Sequence, residues 1–188
     1  MTLENPNSRS MSHSGFEQLC RDASIELGLN DPAALGSGHS VVLDGVLLDL
    51  QRHGALDRFV LLAEMGPAAA DHKAEIYEHL FLLQMLSWAE PGLRFGFNPD
   101  REVLVMCLEA GCGPGANGAW LARLIRSMAA QVTRLRSTAL AGDIGPAGEG
   151  DSENPFQAAA EKFVAVYESS LAAAAPAQDR MTNTTTQA

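Results

Sequence analysis

Positive charge is scarce in this chain: 13 lysines and arginines stand against 23 acids among 188 residues, for a net charge of −10. Nucleic acids and anionic membrane surfaces call for a basic face, so neither is an expected partner. Long hydrophobic runs are missing as well. No apolar stretch approaches the ~20 residues that cross a bilayer, and the opening MTLENPNSRSMSHSG holds no apolar segment of the kind that marks secretion. Cysteine is down to three, an odd number that fits a reducing compartment. The expected location is the cytoplasm.

Catalytic patterns are absent too. There is no Gly-x-Ser-x-Gly elbow and no His-Glu-x-x-His pair. Cys107 and Cys112 have four residues between them, no CxxC partner and no His nearby in sequence, which argues against a metal site. Cys20 and Cys107 read as small core residues, and Cys112 as an exposed loop thiol. The histidines at 13, 39, 53, 72 and 79 are scattered; His72 and His79 share a segment but lie seven apart, as surface or interface residues do. Asp44 and Asp49 are better explained by a turn and a strand end than as a catalytic pair.

One pattern does stand out. Gly113-Pro114-Gly115-Ala116-Asn117-Gly118 fits the G-x-G-x-x-G of dinucleotide sites. That fingerprint belongs in a parallel β-α-β unit with an acid about 20 residues on. Here the preceding strand belongs to a hairpin and the next acid, Asp143, falls in a linker, so a flexible strand-to-helix connection is the reading preferred over a nucleotide-dependent enzyme. The chain is expected to be no enzyme, with no catalytic, cofactor-binding or metal residues and no cofactor. Between Ala110 and Gly142 there is no acid, while Arg123, Arg126, Arg134 and Arg136 lie on one segment, read as a solvated helix face.

What is present is a clear succession of elements. Ser14-Gly15-Phe16-Glu17 has capping-box form, and Phe16, Leu19, Cys20, Ala23 and Leu27 follow at helical spacing before Gly28. VVLDGVLLDL, Val41 to Leu50, is a hairpin hinged at Asp44-Gly45. The strands are expected over His39–Asp44, Val46–Arg52 and Arg58–Glu64. A long segment from Asp71 to about Trp88 contains LFLLQMLSW, apolar nearly all round, as a helix buried on more than one side would be. Leu93–Phe97 alternates cleanly, Asn98-Pro99-Asp100 turns the chain, and Glu102–Glu109 returns it. Asn117 is a plausible cap for a third helix carrying Trp120, Leu121, Leu124, Ile125, Met128, Val132 and Leu135.

The fold class is therefore α+β: an antiparallel five-stranded sheet with helices, in the order α-β-β-β-α-β-β-α, plus a C-terminal helix. Residues 1–13 are expected to be disordered, 14–137 to form the domain, 138–153 a linker, 154–175 an amphipathic helix with Phe156, Phe163, Tyr167 and Leu171 on its stripe, and 176–188 a disordered tail. Several strands read apolar on both faces. The first and third helices can cover one face and the middle helix the other, but a middle helix apolar all round then needs a cover of its own. A second copy of the chain is the economical cover, since two-fold dimers are the commonest soluble oligomers.

This order resembles that of the small, acidic, dimeric chaperones of bacterial type III secretion, the Tir-chaperone (CesT-like) family. FEQLCRDASIELGL at Phe16–Leu29, VVLDGVLLDL, FVLLAEMGP at Phe59–Pro67, EIYEHLFLLQML at Glu75–Leu86 and GLRFGFNPDREVLVM at Gly92–Met106 carry the likeness, which spans about Gly15 to Arg136. It departs where the middle helix ends LLQMLSW and not in the asparagine common among relatives, and again in the extra C-terminal segment. The resemblance implies a homodimer that binds the N-terminal region of a secreted effector, keeps it extended and helps deliver it to the secretion ATPase, without ATP or metal of its own. It points to Tyr77, Leu80, Phe81, Gln84, Trp88, Phe95 and Phe97 for the dimer seam. Client contact is expected at the outward face of the first three strands, Val42, Leu47, Val60 and Leu62, with the exposed side of the first helix. The alternative is an adaptor of the same fold outside secretion that recognises a folded partner. The apolar stripe behind a flexible tether also suggests that the C-terminal segment competes for the client groove.

Overall fold

A computed structural model describes residues 12–53, 58–86, 92–113 and 115–142. Within them run α1 (His13–Leu27), β1 (Val41–Leu43), β2 (Val46–Arg52), β3 (Arg58–Gly66), α2 (Lys73–Leu86), β4 (Gly92–Asn98), β5 (Val103–Gly111) and α3 (Gly118–Ser137). Short 3-10 turns at Ala70–His72 and Ala139–Ala141 precede α2 and follow α3. The strands form one antiparallel sheet in the order β1-β2-β3-β5-β4, with the two hairpins joined through β3 and β5. This is the α+β order expected from the sequence. The expected C-terminal helix, the Trp88 end of α2, and the N-terminal and tail segments lie outside the described residues.

Local chemistry accounts for the ends of these elements. Asp44 and Gly45 both have positive φ, 51° and 74°, as a primed two-residue turn requires between Leu43 and its partner Val46. Gly28 closes α1 in the left-handed conformation at φ 71°, its N–H donating to Ile25 O and the next N–H, from Leu29, to Ser24 O. Asn117 Oδ1 accepts from Trp120 N at 2.9 Å to start α3, while Asn98 Oδ1 accepts from Asp100 N at 3.0 Å in the β4–β5 turn. The first cap differs from expectation: Ser12, not Ser14, begins α1, its Oγ accepting from Gly15 N at 3.1 Å. The fold also runs past Ser137, because Ala139 and Leu140 are buried and Leu140 O accepts from Ala69 N at 2.9 Å.

The core lies on one side of the sheet. Phe59, Leu61, Ala63 and Met65 alternate inward from β3, paired with Ala110, Leu108 and Met106 of β5 and with Leu50 and Leu48 of β2. Phe59 meets Phe16 of α1 with ring centroids 6.4 Å apart and Trp120 of α3, edge to face, at 5.9 Å. Arg136 joins the end of α3 to the strands: Nε donates to Met65 O at 2.9 Å, Nη2 to Glu64 O at 2.8 Å and Nη1 to Gly45 O at 2.8 Å. Arg126 donates to Glu26 O of α1. Two of the four arginines read as a solvated face are therefore structural clamps.

The middle helix corrects a further expectation. It packs beside Leu104, which pairs with Phe97 and shares its face with Met106 and Leu108. Hence α2 lies on the same side of the sheet as α1 and α3. No described helix covers the opposite face.

Candidate interaction surfaces

The opposite face follows from the strand registers. Asp49, Leu62, Cys107 and Arg94 are successive cross-strand partners, so they form one row across β2, β3, β5 and β4. Gln51, Val60 and Glu109 form the row on one side, and Glu64, Val105 and Gly96 the row on the other. Val42 pairs with Leu47 at the β1 end, with Val42 63% exposed. The centre is thus apolar and half-buried, through Val60, Leu62, Val105 and Cys107, and its fringe is charged. Arg58 Nε lies 3.3 Å from Glu109 Oε1, and Arg101 pairs with Glu64. Where β3 ends and β5 begins, a cleft of about 350 Å³ opens among Asp49, Leu62, Glu64, Phe97, Asn98, Pro99 and Val105.

Val42, Leu47, Val60 and Leu62, expected to act together, do lie on this one face. The exposed side of α1 does not join them, because α1 packs on the other side of the sheet; its exposed Ile25 belongs to a separate cleft with Asp22, Glu26, Asn117 and Ala119. Val105, Cys107 and Arg94 complete the surface and were not singled out, although the alternation Val103, Val105, Cys107 carried that signal. Cys107 is accordingly no core residue. Burial nonetheless pushes its thiol pKa up, while the Arg94 guanidinium opposes that rise. Cys112 is no exposed loop thiol either: it is half-buried against the core.

A second apolar surface lies on α2 and β4. Tyr77, Leu80, Phe81, Phe95, Gly96, Phe97 and Leu104 line a cleft of about 310 Å³. Leu80 is buried and anchors α2, whereas Phe81 and Met85 are each 68% exposed, with Leu82 and Phe97 beside them at 47% and 48%. The Tyr77 and Phe97 rings lie 6.5 Å apart, with Lys73 Nζ within about 6 Å of both centroids. Gln84 Oε1 accepts from Phe95 N at 2.8 Å, which occupies a donor on the outer edge of β4. Six of the seven residues expected at a dimer seam are thereby gathered at one place; Trp88 lies outside the described residues. Leu82 and Met85 extend the patch. Such a concentration of exposed apolar side chains marks an interaction site.

The last glycine of the Gly113–Gly118 stretch has a packing role. Gly118 faces α1, and a Cβ there would lie 2.4 Å from Asp22 Cβ. The residue is small because two helices meet at it. No group of three or more metal-ligating side chains occurs among the described residues, and no described helix is long and apolar enough to cross a membrane.

No family model matches the sequence, and no curated protein matches it. Among solved structures, a chain of the HopA1–SchA chaperone–effector complex is similar over 68% of this chain and 98% of its own length, with 15% identity and a TM-score of 0.53. A chain of the ExsC–ExsE complex is similar over 66% of this chain and 90% of its own, with 18% identity and a TM-score of 0.46. The first of these likenesses shows a shared fold.

Proposed function

We propose that the chain is a homodimeric cytoplasmic chaperone that binds the N-terminal region of a type III secretion effector, keeps it extended and helps deliver it to the secretion ATPase. The observation that carries this reading is the apolar sheet face centred on Val60, Leu62, Val105 and Cys107, with no described helix over it. A folded protein that leaves such a face open has binding free energy available for a segment that cannot bury its own apolar side chains. The shared fold with a chain from a chaperone–effector complex supports the same reading. The second patch, Phe81, Leu82, Met85 and Phe97 beside Tyr77, Gln84 and Phe95, would be covered by its copy across a two-fold axis. Binding by apolar contacts alone needs no cofactor, and nothing in this reading is enzymatic. The acidic exterior suits a client segment with basic character.

The test is co-expression with the proteins encoded beside this chain, followed by limited proteolysis of the purified complex. The expected result is protection of an extended segment near the N-terminus of one partner, abolished by Leu62→Arg with helix content unchanged. A protected folded domain in its place would favour an adaptor of the same fold. No complex with any neighbour, or a complex indifferent to Leu62→Arg, would overturn the assignment.

A further inference from the structure

The described fold ends at Gly142, with 46 residues still to come, Asp143 to Ala188. Gly142 lies against His72, and just before it Arg136 is bonded to the carbonyls of Glu64 and Met65 at the end of β3. Gly142, the last described residue, therefore lies near the end of the sheet where the cleft among Asp49, Leu62, Glu64 and Val105 opens.

From these relations we infer that the segment Asn154–Leu171 of the same chain docks on the open sheet face, over Val60, Leu62, Val105 and Cys107, and must be displaced by any client. The inference rests on the proposed function only in that tail and client share this surface.

Reach is not limiting. The tether Asp143–Pro155 spans on the order of 40 Å when extended and about 20 Å as a flexible coil. It has only to pass around a sheet that is one layer, roughly 10 Å, thick.

The chemistry of the two surfaces matches in a definite orientation. At about 100° per residue, Phe156, Phe163, Tyr167 and Leu171 share one stripe. Glu161 and Glu168 then fall on one flank and Lys162 on the other. The row across the sheet has the complementary layout, with Arg94 at the β4 end, Asp49 at the β2 end, and Leu62 and Cys107 between them. Four strands put those ends on the order of 14 Å apart at about 4.8 Å per strand, which matches a helix about 10–12 Å wide. With the axis run in the direction that puts the glutamate flank on the β4 side, an apolar stripe on the central strands sets Glu161 and Glu168 toward Arg94, and Lys162 toward Asp49. The α2–β4 patch shows no such row: the charge seen against its rings is Lys73, within about 6 Å of the Tyr77 and Phe97 centroids. A tethered occupant acts at an effective concentration near millimolar, so it shields the face from chance partners while yielding to a client that binds more tightly.

Cys107 reports occupancy of this face without any client. In the full-length chain carrying Cys112→Ser, alkylation of Cys107 is followed by peptide mass spectrometry at mildly alkaline pH. Buried Cys20 serves as the control for an intact fold. Phe163→Glu with Tyr167→Glu should raise the Cys107 rate about tenfold or more, as release of a locally docked segment does, while Cys20 stays unmodified. Glu161→Arg with Glu168→Arg, which leaves Arg94 and therefore the Cys107 thiol's own surroundings unchanged, should raise it as well. An unchanged rate in the Phe163/Tyr167 variant overturns the inference. So does a wild-type rate that accelerates on dilution, because the occupant would then be another copy. The two readings fail separately: loss of client binding in Leu62→Arg tests the chaperone assignment, whereas Cys107 labelling tests the tail in a protein that has never met a client.

Discussion

Gly118, at the start of α3, lies against the backbone of Asp22 in α1. A side-chain carbon at 118 would sit 2.4 Å from Asp22 Cβ, 2.8 Å from Asp22 C and 2.9 Å from Ala23 N. Gly118→Ala is therefore expected to push α1 off α3 and to lower stability by about 2–3 kcal/mol, as overpacking at a rigid contact does. Denaturant unfolding followed by circular dichroism measures it. Asp22→Gly in the same chain should recover only part, because two of the three offending atoms are backbone.

Arg136 holds three carbonyls that belong to two different places in the sheet. Arg136→Met keeps the length of the stem and removes the donors, and should cost about 2–3 kcal/mol. Arg136→Lys should recover little of this, since an ammonium lacks the planar fork that reaches separate acceptors. If unfolding midpoints of both variants match the wild type, the clamp contributes nothing.

Burial, with Cys112 and Glu17 nearby, pushes the Cys20 thiol up to about 12 from an ordinary value of 9.0. Between those two values the unfolded thiol has lost its proton and the folded one keeps it. Stability then falls as pH rises from about 9 toward 12, by up to about 1.4 kcal/mol per pH unit; below 9 this contribution is fully present. The check is urea unfolding of wild type and Cys20→Ala across that range. The difference between them should shrink steadily with pH, and a constant difference would refute the coupling.

The proposed seam on α2 makes its own prediction. Phe81→Glu with Met85→Glu places two carboxylates where two apolar side chains are each 68% exposed. Sedimentation at micromolar concentration should show the wild type as two copies and the variant as one, with unchanged helix content. A wild type that sediments as a single copy would remove the seam.

Much of this architecture was legible in the sequence because it depends on neighbours in the chain. Asp44-Gly45 states its turn in two letters, Asn117 and Gly28 mark helix ends by their own side-chain and backbone chemistry, and the alternation in β3 and β5 fixes which residues share a face. Ser12 displaced Ser14 as the first cap because both serines precede the same helix and spacing alone does not choose between them. What the sequence could not state was which helix lies over which face. Alternation divides Val60 from Leu61 but does not say which of them α2 will approach. Nor could it show what Arg136 does, since its acceptors at Met65 and Gly45 are 71 and 91 positions away. An arginine at a helix end has the same sequence signature whether it meets water or a bulged strand. Which strand residues share a face was legible for the same reason: Val42, Leu47, Val60 and Leu62 lie on one side by simple parity, while the place of α1 on the far side is a property of the packed chain.

With every described helix on one side of the sheet, the central-strand side chains that form the core and those proposed to meet a client are partitioned between the two sides of the same strands. A change from valine to threonine at position 60 or 105 leaves Phe59, Leu61, Leu104 and Met106 where they are. If that face binds a client as proposed, descendants of this gene can diversify in what they recognise while inheriting an unaltered scaffold.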